Sequence, residues 1–178
     1  MSILSFCRYH PVAYRVIPEN GGTMRITTYR NYIDEEQKCY LVKERSINYP
    51  SLKNMNTPQS VHEIMCHVFH LDQSAVEQTY LICLNTQNVP IAFIFLSQGT
   101  CNASLVHPRE IFLQALLASG VKIILCHNHP SQEVTPSRQD ISLTKKIKEA
   151  GELMQIPLLD HIIIASHCYY SFKEQQLL

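Results

Sequence analysis

The stretch VKIILCHNHPSQEVTPSRQDISLTKKI, residues 121–147, predicts a strand, a loop and a helix in direct succession. Its first six residues are mostly apolar and rich in β-branched side chains, as in a buried strand. Pro130 cannot extend a central strand, so the chain turns into a loop there. Ser137 is a favourable helix N-cap, and Pro157 ends the helix. An amphipathic pattern indicates this helix, formed by Ile141, Leu143, Thr144, Ile147, Ala150 and Leu153.

Strands and helices alternate outward from this unit. Further helices are predicted from the cap Thr57-Pro58 through His70 and from Pro108 to Gly120. Further strands are predicted over residues 78–84, 89–97, 161–166 and 169–172, the first two joined by the turn NTQN. This alternation favours an α/β fold, a three-layer-like sandwich in which helices flank a mixed β-sheet.

The N-terminal part of the chain differs from the rest in composition. Residues 1–55 are polar and rich in turn-forming residues. Two alternating stretches, residues 24–33 and 38–49, predict strands or a loose hairpin. We therefore assign residues 1–55 to an N-terminal extension and residues 56–178 to the main domain.

Composition argues against several classes of protein. Lys+Arg and Asp+Glu number 15 each, so the formal net charge is zero, which disfavours broad binding to a nucleic-acid backbone. Apolar runs are only strand-sized, and the N-terminus lacks the pattern of a secretory signal, so we expect a cytoplasmic protein without a membrane span. The seven cysteines are scattered and form no C-x-x-C pair, which argues against a disulfide framework and a zinc ribbon.

Three side chains of the central unit are suited to one metal ion. Alternate residues of an extended segment point to the same side, so His127 and His129 can present two imidazoles to one point. With Ser137 as N-cap, Asp140 lies in the first helical turn, where the helix dipole favours a carboxylate. Two imidazoles and one carboxylate suit zinc and leave a fourth position for water, as in catalytic sites. We predict one zinc ion per chain, bound by His127, His129 and Asp140.

Such a site also needs a base. Zinc lowers the pKa of a bound water from about 15.7 to about 7, and a nearby carboxylate must then manage the protons. The candidates are Glu77, Glu110, Glu133 and Glu149. Glu77 is preferred because it begins an otherwise apolar strand, where a carboxylate requires exposure or a partner. Glu110 suits the first turn of its helix without any catalytic role. The residues alone leave this choice open.

The combination His-x-His-Pro and Pro-Ser-x-x-Asp resembles the metal motif of the JAMM, or MPN-type, metallopeptidases. The similarity to their RadC-like branch covers about residues 42–176, including VKERSINYP, the long run from LNTQNVP to HNHPS, and LLDHIII. The resemblance implies a JAB/MPN fold, which is cytidine-deaminase-like. It also implies a peptide or protein substrate that is cleaved at a peptide or isopeptide bond.

Residue roles also follow from this resemblance. It implies that Glu77 is the general base that holds the water, and that Ser137 donates a hydrogen bond to the tetrahedral oxyanion. The implied zinc ligands are His127, His129 and Asp140. This chain departs from the family pattern at three places. Gln132 stands where the family usually has glycine, Thr79 replaces an aromatic residue, and residues 1–41 do not resemble the helix-hairpin-helix region of full-length RadC proteins.

The sequence is also compatible with functions other than peptide hydrolysis. One is a DNA-associated protein, either a nuclease or a repair factor, against which the zero net charge argues. Another is a non-catalytic module that binds metal and a partner. A nucleobase deaminase is excluded because H-x-E and P-C-x-x-C are missing. Asp160 and His161 belong to the family pattern, and either residue could orient a metal ligand or form a structural turn.

Overall fold

The computed structural model describes residues 23–50, 54–99 and 106–178. In order of sequence, these described residues form seven strands and three helices: β1 (Thr23–Ile33), β2 (Cys39–Pro50), α1 (Pro58–His67), β3 (Glu77–Leu84), β4 (Pro90–Gly99), α2 (Pro108–Leu117), β5 (Lys122–Asn128), α3 (Arg138–Met154), β6 (Leu158–Ile164) and β7 (Tyr169–Ser171). A short 3₁₀ turn, Leu71–Gln73, follows α1. The predicted alternation of strands and helices is therefore confirmed.

The seven strands form one mixed sheet with the order β2-β1-β4-β3-β5-β6-β7. The pairs β1–β4 and β5–β6 are parallel, and the other neighbours are antiparallel. The hairpin predicted across NTQN joins β3 to β4. At the centre of the sheet, β5 lies between β3 and β6, so the strand that carries His127 has a neighbour on each side.

Helices cover both faces of this sheet, as the predicted α/β sandwich requires. On one face α1 packs over apolar residues of the central strands, among them Ile82, Phe93, Ile124, Cys126 and Ile162. On the other face α2 and α3 pack over the alternate residues of the same strands, among them Leu81, Ile94, Ile123, Leu125 and Leu158. Alternation along β5 places His127 on the face covered by α2 and α3, in line with Ile123 and Leu125.

Helix bounds differ from the sequence expectations at two ends. Thr57 caps α1 as predicted, with its side chain accepting a hydrogen bond from the Ser60 amide. The helix ends at His67 and not at His70. His70 has a positive φ of 51° and begins the 3₁₀ turn, which is incompatible with continuing an α-helix. The second helix ends at Leu117, and the chain reaches Gly120 through a short turn.

The buried stripe of α3 is narrower than predicted. Thr144, Ile147 and Gly151 are its buried residues. Ile141 is 45% exposed and Leu153 is 85% exposed, so these two members of the amphipathic pattern lie outside the buried stripe. A helix advances about 100° per residue, which puts both of them about 120° around the axis from Ile147.

The two N-terminal strands form the predicted hairpin. They pair from Thr23↔Pro50 to Ile33↔Cys39 with one irregularity. The hairpin joins the sheet where β1 runs parallel to β4, at Thr28↔Phe93. The division at residue 55 stays a prediction.

The described cysteines are free, and Cys66, Cys83 and Cys126 are buried as expected of small core residues. Cys7 and Cys101 lie outside the described residues. Among the described helices, none has both the length and the apolar character needed to cross a membrane.

Candidate metal centre

The predicted ligands converge at the junction of β5 and α3. His127 Nε2 lies 3.0 Å from His129 Nε2 and 3.3 Å from Asp140 Oδ1, and His129 Nε2 lies 3.5 Å from Asp140 Oδ2. Ligands about 2.0–2.1 Å from a tetrahedral zinc ion lie roughly 3.3 Å apart. Within the described residues, these three form the group of side chains whose donor atoms could hold one metal ion. The donor set therefore fits zinc.

The loop after β5 orients His129. Its Nδ1 lies 2.6 Å from the backbone carbonyl oxygen of Glu133. A carbonyl oxygen can only accept, so Nδ1 carries the proton and donates it. The lone pair of the neutral ring is therefore on Nε2, the nitrogen that faces His127 and Asp140. The contact uses the main chain of Glu133, while its side chain is exposed.

Asp140 is held by the cap of α3. The Asp140 amide donates to Ser137 Oγ over 3.1 Å, and the Ser137 amide donates to Asp140 Oδ2 over 2.7 Å. This reciprocal pair is a capping box, so the predicted cap and the predicted position of Asp140 in the first turn are confirmed. Ser137 Oγ accepts one hydrogen bond there, which leaves its own hydroxyl proton available for another partner.

Burial and charge set the proton affinities of the three predicted ligands. Burial lowers the pKa of His127 to about 4, although the Asp140 carboxylate acts in the opposite direction. The hydrogen bond with Asp140 raises the pKa of His129 and outweighs the effect of burial. Burial alone would raise the pKa of Asp140, but bonds with His129 and Ser137 and the charge of His127 bring it below its usual value. His129 therefore takes up a proton more readily than His127.

Glu77 is the predicted base that faces the same cleft. It begins β3, two residues before Thr79, which pairs directly with His127. The carboxylate is half-buried, and its pKa is raised by burial and by the nearby Asp140, with His129 acting against the rise. The other three candidate carboxylates are exposed and do not line the cleft: Glu110, Glu133 and Glu149. The catalytic assignment of Glu77 stays a prediction.

Asn128 points away from the predicted ligands, as expected for alternate residues. Its side chain is completely buried. Asn128 Oδ1 accepts from the Gln78 amide over 2.9 Å, and Nδ2 donates to the Val76 carbonyl over 3.2 Å. These are the two residues that flank Glu77, so this amide holds the start of β3 in place. From the sequence, only the orientation of Asn128 could be predicted.

Asp160 and His161 lie in β6, so their interpretation as a turn is wrong. Asp160 accepts hydrogen bonds from Ser171 Oγ and from the His161 and Lys173 amides. His161 is completely buried, with Nε2 2.9 Å from His127 Nδ1 and Nδ1 2.6 Å from Thr144 Oγ1. From the sequence, Thr144 was predicted only as part of the amphipathic pattern of the helix. The sequence does contain one indication of a role for Thr144: its hydroxyl lies among the apolar residues of the helix pattern, one turn after Asp140.

Gln132 adopts the backbone conformation that glycine adopts readily. Its φ is 63°, in the left-handed region. Its side-chain Oε1 accepts from the amide and the hydroxyl of Ser166, and Nε2 donates to the Asp72 carbonyl over 2.9 Å. Three side-chain hydrogen bonds therefore accompany a backbone conformation that costs about 1–2 kcal/mol for an L-residue.

An open cleft of about 750 Å³ lies beside the three predicted ligands. Apolar side chains of Val106, Leu125 and Leu143 form part of its wall, and Arg138 and Lys146 of α3 add positive charge. Ser137 and Glu77 also line it. The cleft is large enough to bury a short segment of an extended peptide.

Comparison with known proteins agrees with this geometry. Residues 55–177 match the family model described as a RadC-like JAB domain. The chain belongs to the RadC-like JAB domain family. Family membership confirms the predicted JAB/MPN fold, and the three-ligand group of this RadC-like chain is compatible with a metal site.

Curated relatives extend the comparison. A UPF0758 protein of Clostridium botulinum (strain Okra) is 45% identical over 122 residues, which are 68% of this chain and 52% of the relative. A UPF0758 protein of Clostridium tetani is 50% identical over 105 residues, 58% of this chain and 46% of the relative. The RadC-like chain thus spans about half the length of the curated relatives that it matches.

Proposed function

We propose that this RadC-like JAB domain is a zinc-dependent hydrolase that cleaves a peptide or isopeptide amide bond. The observation that carries the proposal is the convergence of His127, His129 and Asp140 within 3.5 Å beside an open cleft. A structural zinc site is usually closed by four protein ligands, whereas three leave a position for water or substrate. This difference favours catalysis over a purely structural role.

The zinc ion would be held by His127 Nε2, His129 Nε2 and the Asp140 carboxylate. When bound, such an ion lowers the pKa of a coordinated water and polarises a substrate carbonyl. Burial of the His127 ring lowers its pKa and keeps it neutral, and the lowered pKa of Asp140 keeps its carboxylate ionised, as metal binding requires.

Glu77 would take the proton of the attacking water and deliver it to the leaving amine. The C–O bond would form first, as the proton of the water moves to Glu77, and the C–N bond would break when Glu77 returns that proton to the nitrogen, so one carboxylate serves first as base and then as acid. Its raised pKa suits both steps. The Ser137 hydroxyl would donate a hydrogen bond to the developing oxyanion, because its capping contact uses only an oxygen lone pair.

Peptide or protein substrates are favoured over nucleic acid. The chain carries equal numbers of acidic and basic residues, and binding to a phosphate backbone depends on an excess of basic ones. Arg138 and Lys146 line the cleft beside apolar side chains, a mixture that suits a polypeptide with an acidic or carboxylate group.

The first test is the metal content of the purified chain, measured by elemental mass spectrometry beside His127→Ala and Asp140→Ala. We expect about one zinc per chain in the wild type and its loss in both variants. Hydrolysis of peptide and isopeptide-linked substrates is then measured in the zinc-loaded protein. Zinc bound without any turnover would instead indicate a non-catalytic interaction module. No stoichiometric metal after reconstitution would refute the proposed function.

A further inference from the structure

A chain of hydrogen bonds connects two of the predicted ligands through two buried side chains. It runs from His127 on β5 to His161 on β6, then to Thr144 on α3 and to the carbonyl of Asp140. Its links measure 2.9, 2.6 and 2.6 Å in that order. These hydrogen bonds join three secondary-structure elements and include two of the three predicted ligands.

The direction of each bond follows from chemistry. The Asp140 carbonyl can only accept, so Thr144 must donate its single hydroxyl proton to it. Thr144 Oγ1 therefore accepts from His161, which places the proton of a neutral His161 ring on Nδ1. His161 Nε2 is then an acceptor, and the remaining donor is Nδ1 of His127.

We propose that His161 and Thr144 are positioning residues that hold His127 in the tautomer protonated on Nδ1, which leaves Nε2 free for a metal ion. If His161 donated the hydrogen bond to His127 Nδ1, the neutral His127 ring would carry its proton on Nε2, and that nitrogen could not bind a metal ion. The inference rests on the proposed zinc site, and it assigns the selection of the binding tautomer to residues that never touch the ion.

The surroundings of His161 and Thr144 support a positioning role. His161 is completely buried and Thr144 is 1% exposed, so water does not replace either partner readily. The His161 ring stacks on Phe172 with centroids 4.8 Å apart and planes 9° apart. Packing therefore sets the ring plane of His161, while the bond to Thr144 sets which of its nitrogens carries the proton.

Matched variants separate hydrogen bonding from packing. Thr144→Val keeps the shape of the side chain and removes the hydroxyl, whereas Thr144→Ser keeps the hydroxyl. His161→Phe keeps an aromatic ring against Phe172 and removes both nitrogens. His161→Gln keeps both kinds of group, because the amide oxygen can accept a hydrogen bond and the NH₂ group can donate one. Circular dichroism and thermal unfolding establish that each variant is folded before it is compared.

Zinc affinity is measured by competition with a chromogenic chelator. We expect Thr144→Val and His161→Phe to weaken zinc binding by about 10–100-fold, the range seen when partners of a metal-bound histidine are removed. Thr144→Ser and His161→Gln should remain close to wild type. Equal zinc affinity in all five proteins would overturn the inference.

A second readout does not depend on zinc. Two-bond ¹H–¹⁵N NMR spectra of ¹⁵N-histidine-labelled, metal-free protein report which nitrogen of His127 is protonated. We expect the Nδ1-protonated tautomer in the wild type and a mixture in Thr144→Val. An Nε2-protonated His127 in the wild type would refute the inference even if no variant folds. Failure of the wild type to bind zinc would refute the proposed function, and the spectra would still decide the inference.

Discussion

Asn128 bonds to the backbone on both sides of Glu77, through the Gln78 amide and the Val76 carbonyl. The side-chain amide of the residue after His127, the first predicted metal ligand, thus positions the predicted base at the start of β3. These contacts lie on the face of β5 opposite His127. Successive residues of one strand therefore provide a predicted ligand on one face and support for the predicted base on the other.

The Asn128→Ala variant tests this support. We expect hydrolysis to fall by about 100-fold through misplacement of Glu77, while stoichiometric zinc is retained. Stability should fall by about 1–3 kcal/mol because three backbone groups, of Ser74, Val76 and Gln78, lose a hydrogen bond. Cys126→Ala, a buried position on the same face of β5, is the control and should keep its activity. Normal turnover by folded Asn128→Ala would contradict this role.

The Glu77→Gln variant tests the choice of base. We expect zinc content to be unchanged and turnover to fall by about 10²–10⁴-fold, because the amide cannot accept and return a proton. Zinc content and initial rates are measured on the same preparations. Glu110→Gln serves as the control, since Glu110 is exposed and does not line the cleft. A large loss in Glu110→Gln with full activity in Glu77→Gln would reverse the assignment.

The Glu133→Ala variant should bind zinc as the wild type does. His129 bonds to the carbonyl of Glu133, which this substitution keeps. We expect the free energy of unfolding to change by less than about 0.5 kcal/mol, as for most exposed positions. Chelator competition and urea unfolding measure both quantities. Loss of zinc in this variant would show that the carboxylate itself takes part.

Two substitutions of Gln132 separate backbone conformation from side-chain contacts. Both Gln132→Ala and Gln132→Gly lose the bonds to Ser166 and Asp72. Only glycine relieves the positive φ of 63°. We therefore expect the alanine variant to be less stable than the glycine variant by about 1 kcal/mol in urea unfolding. An alanine variant of equal or greater stability would contradict the left-handed conformation of this residue.

Zinc affinity should depend on pH mainly through His129. The Asp140 hydrogen bond raises the pKa of His129 above its usual value, so a proton occupies this ring on the acidic side of that pKa and zinc must displace it. Affinity should be constant on the alkaline side and fall about tenfold per pH unit on the acidic side. His127 adds a second proton only near pH 4. Competition titrations over pH test this, and a flat profile would contradict it.

Local patterns were sufficient for much of the fold. The helices were predicted from the caps Thr57 and Ser137 and from prolines at helix ends, such as Pro58 and Pro157. Most strands were predicted from runs of β-branched residues. The spacing of His127 and His129 and the offset from Ser137 to Asp140 predicted which side chains converge. These features depend on residues near one another in sequence, because capping and strand alternation are local properties of the backbone.

Only the tertiary structure decided which residues orient the predicted ligands and the predicted base. His161 meets His127 because β6 pairs in parallel with β5, and Thr144 joins them because its face of α3 packs on that sheet. Asn128 reaches the flanks of Glu77 because β3 pairs with β5. Strand order and helix packing result from burial of apolar area across the whole chain, and no local pattern encodes them. The sequence thus determined which side chains converge as predicted metal ligands, and the packed sheet determined the partners that orient them.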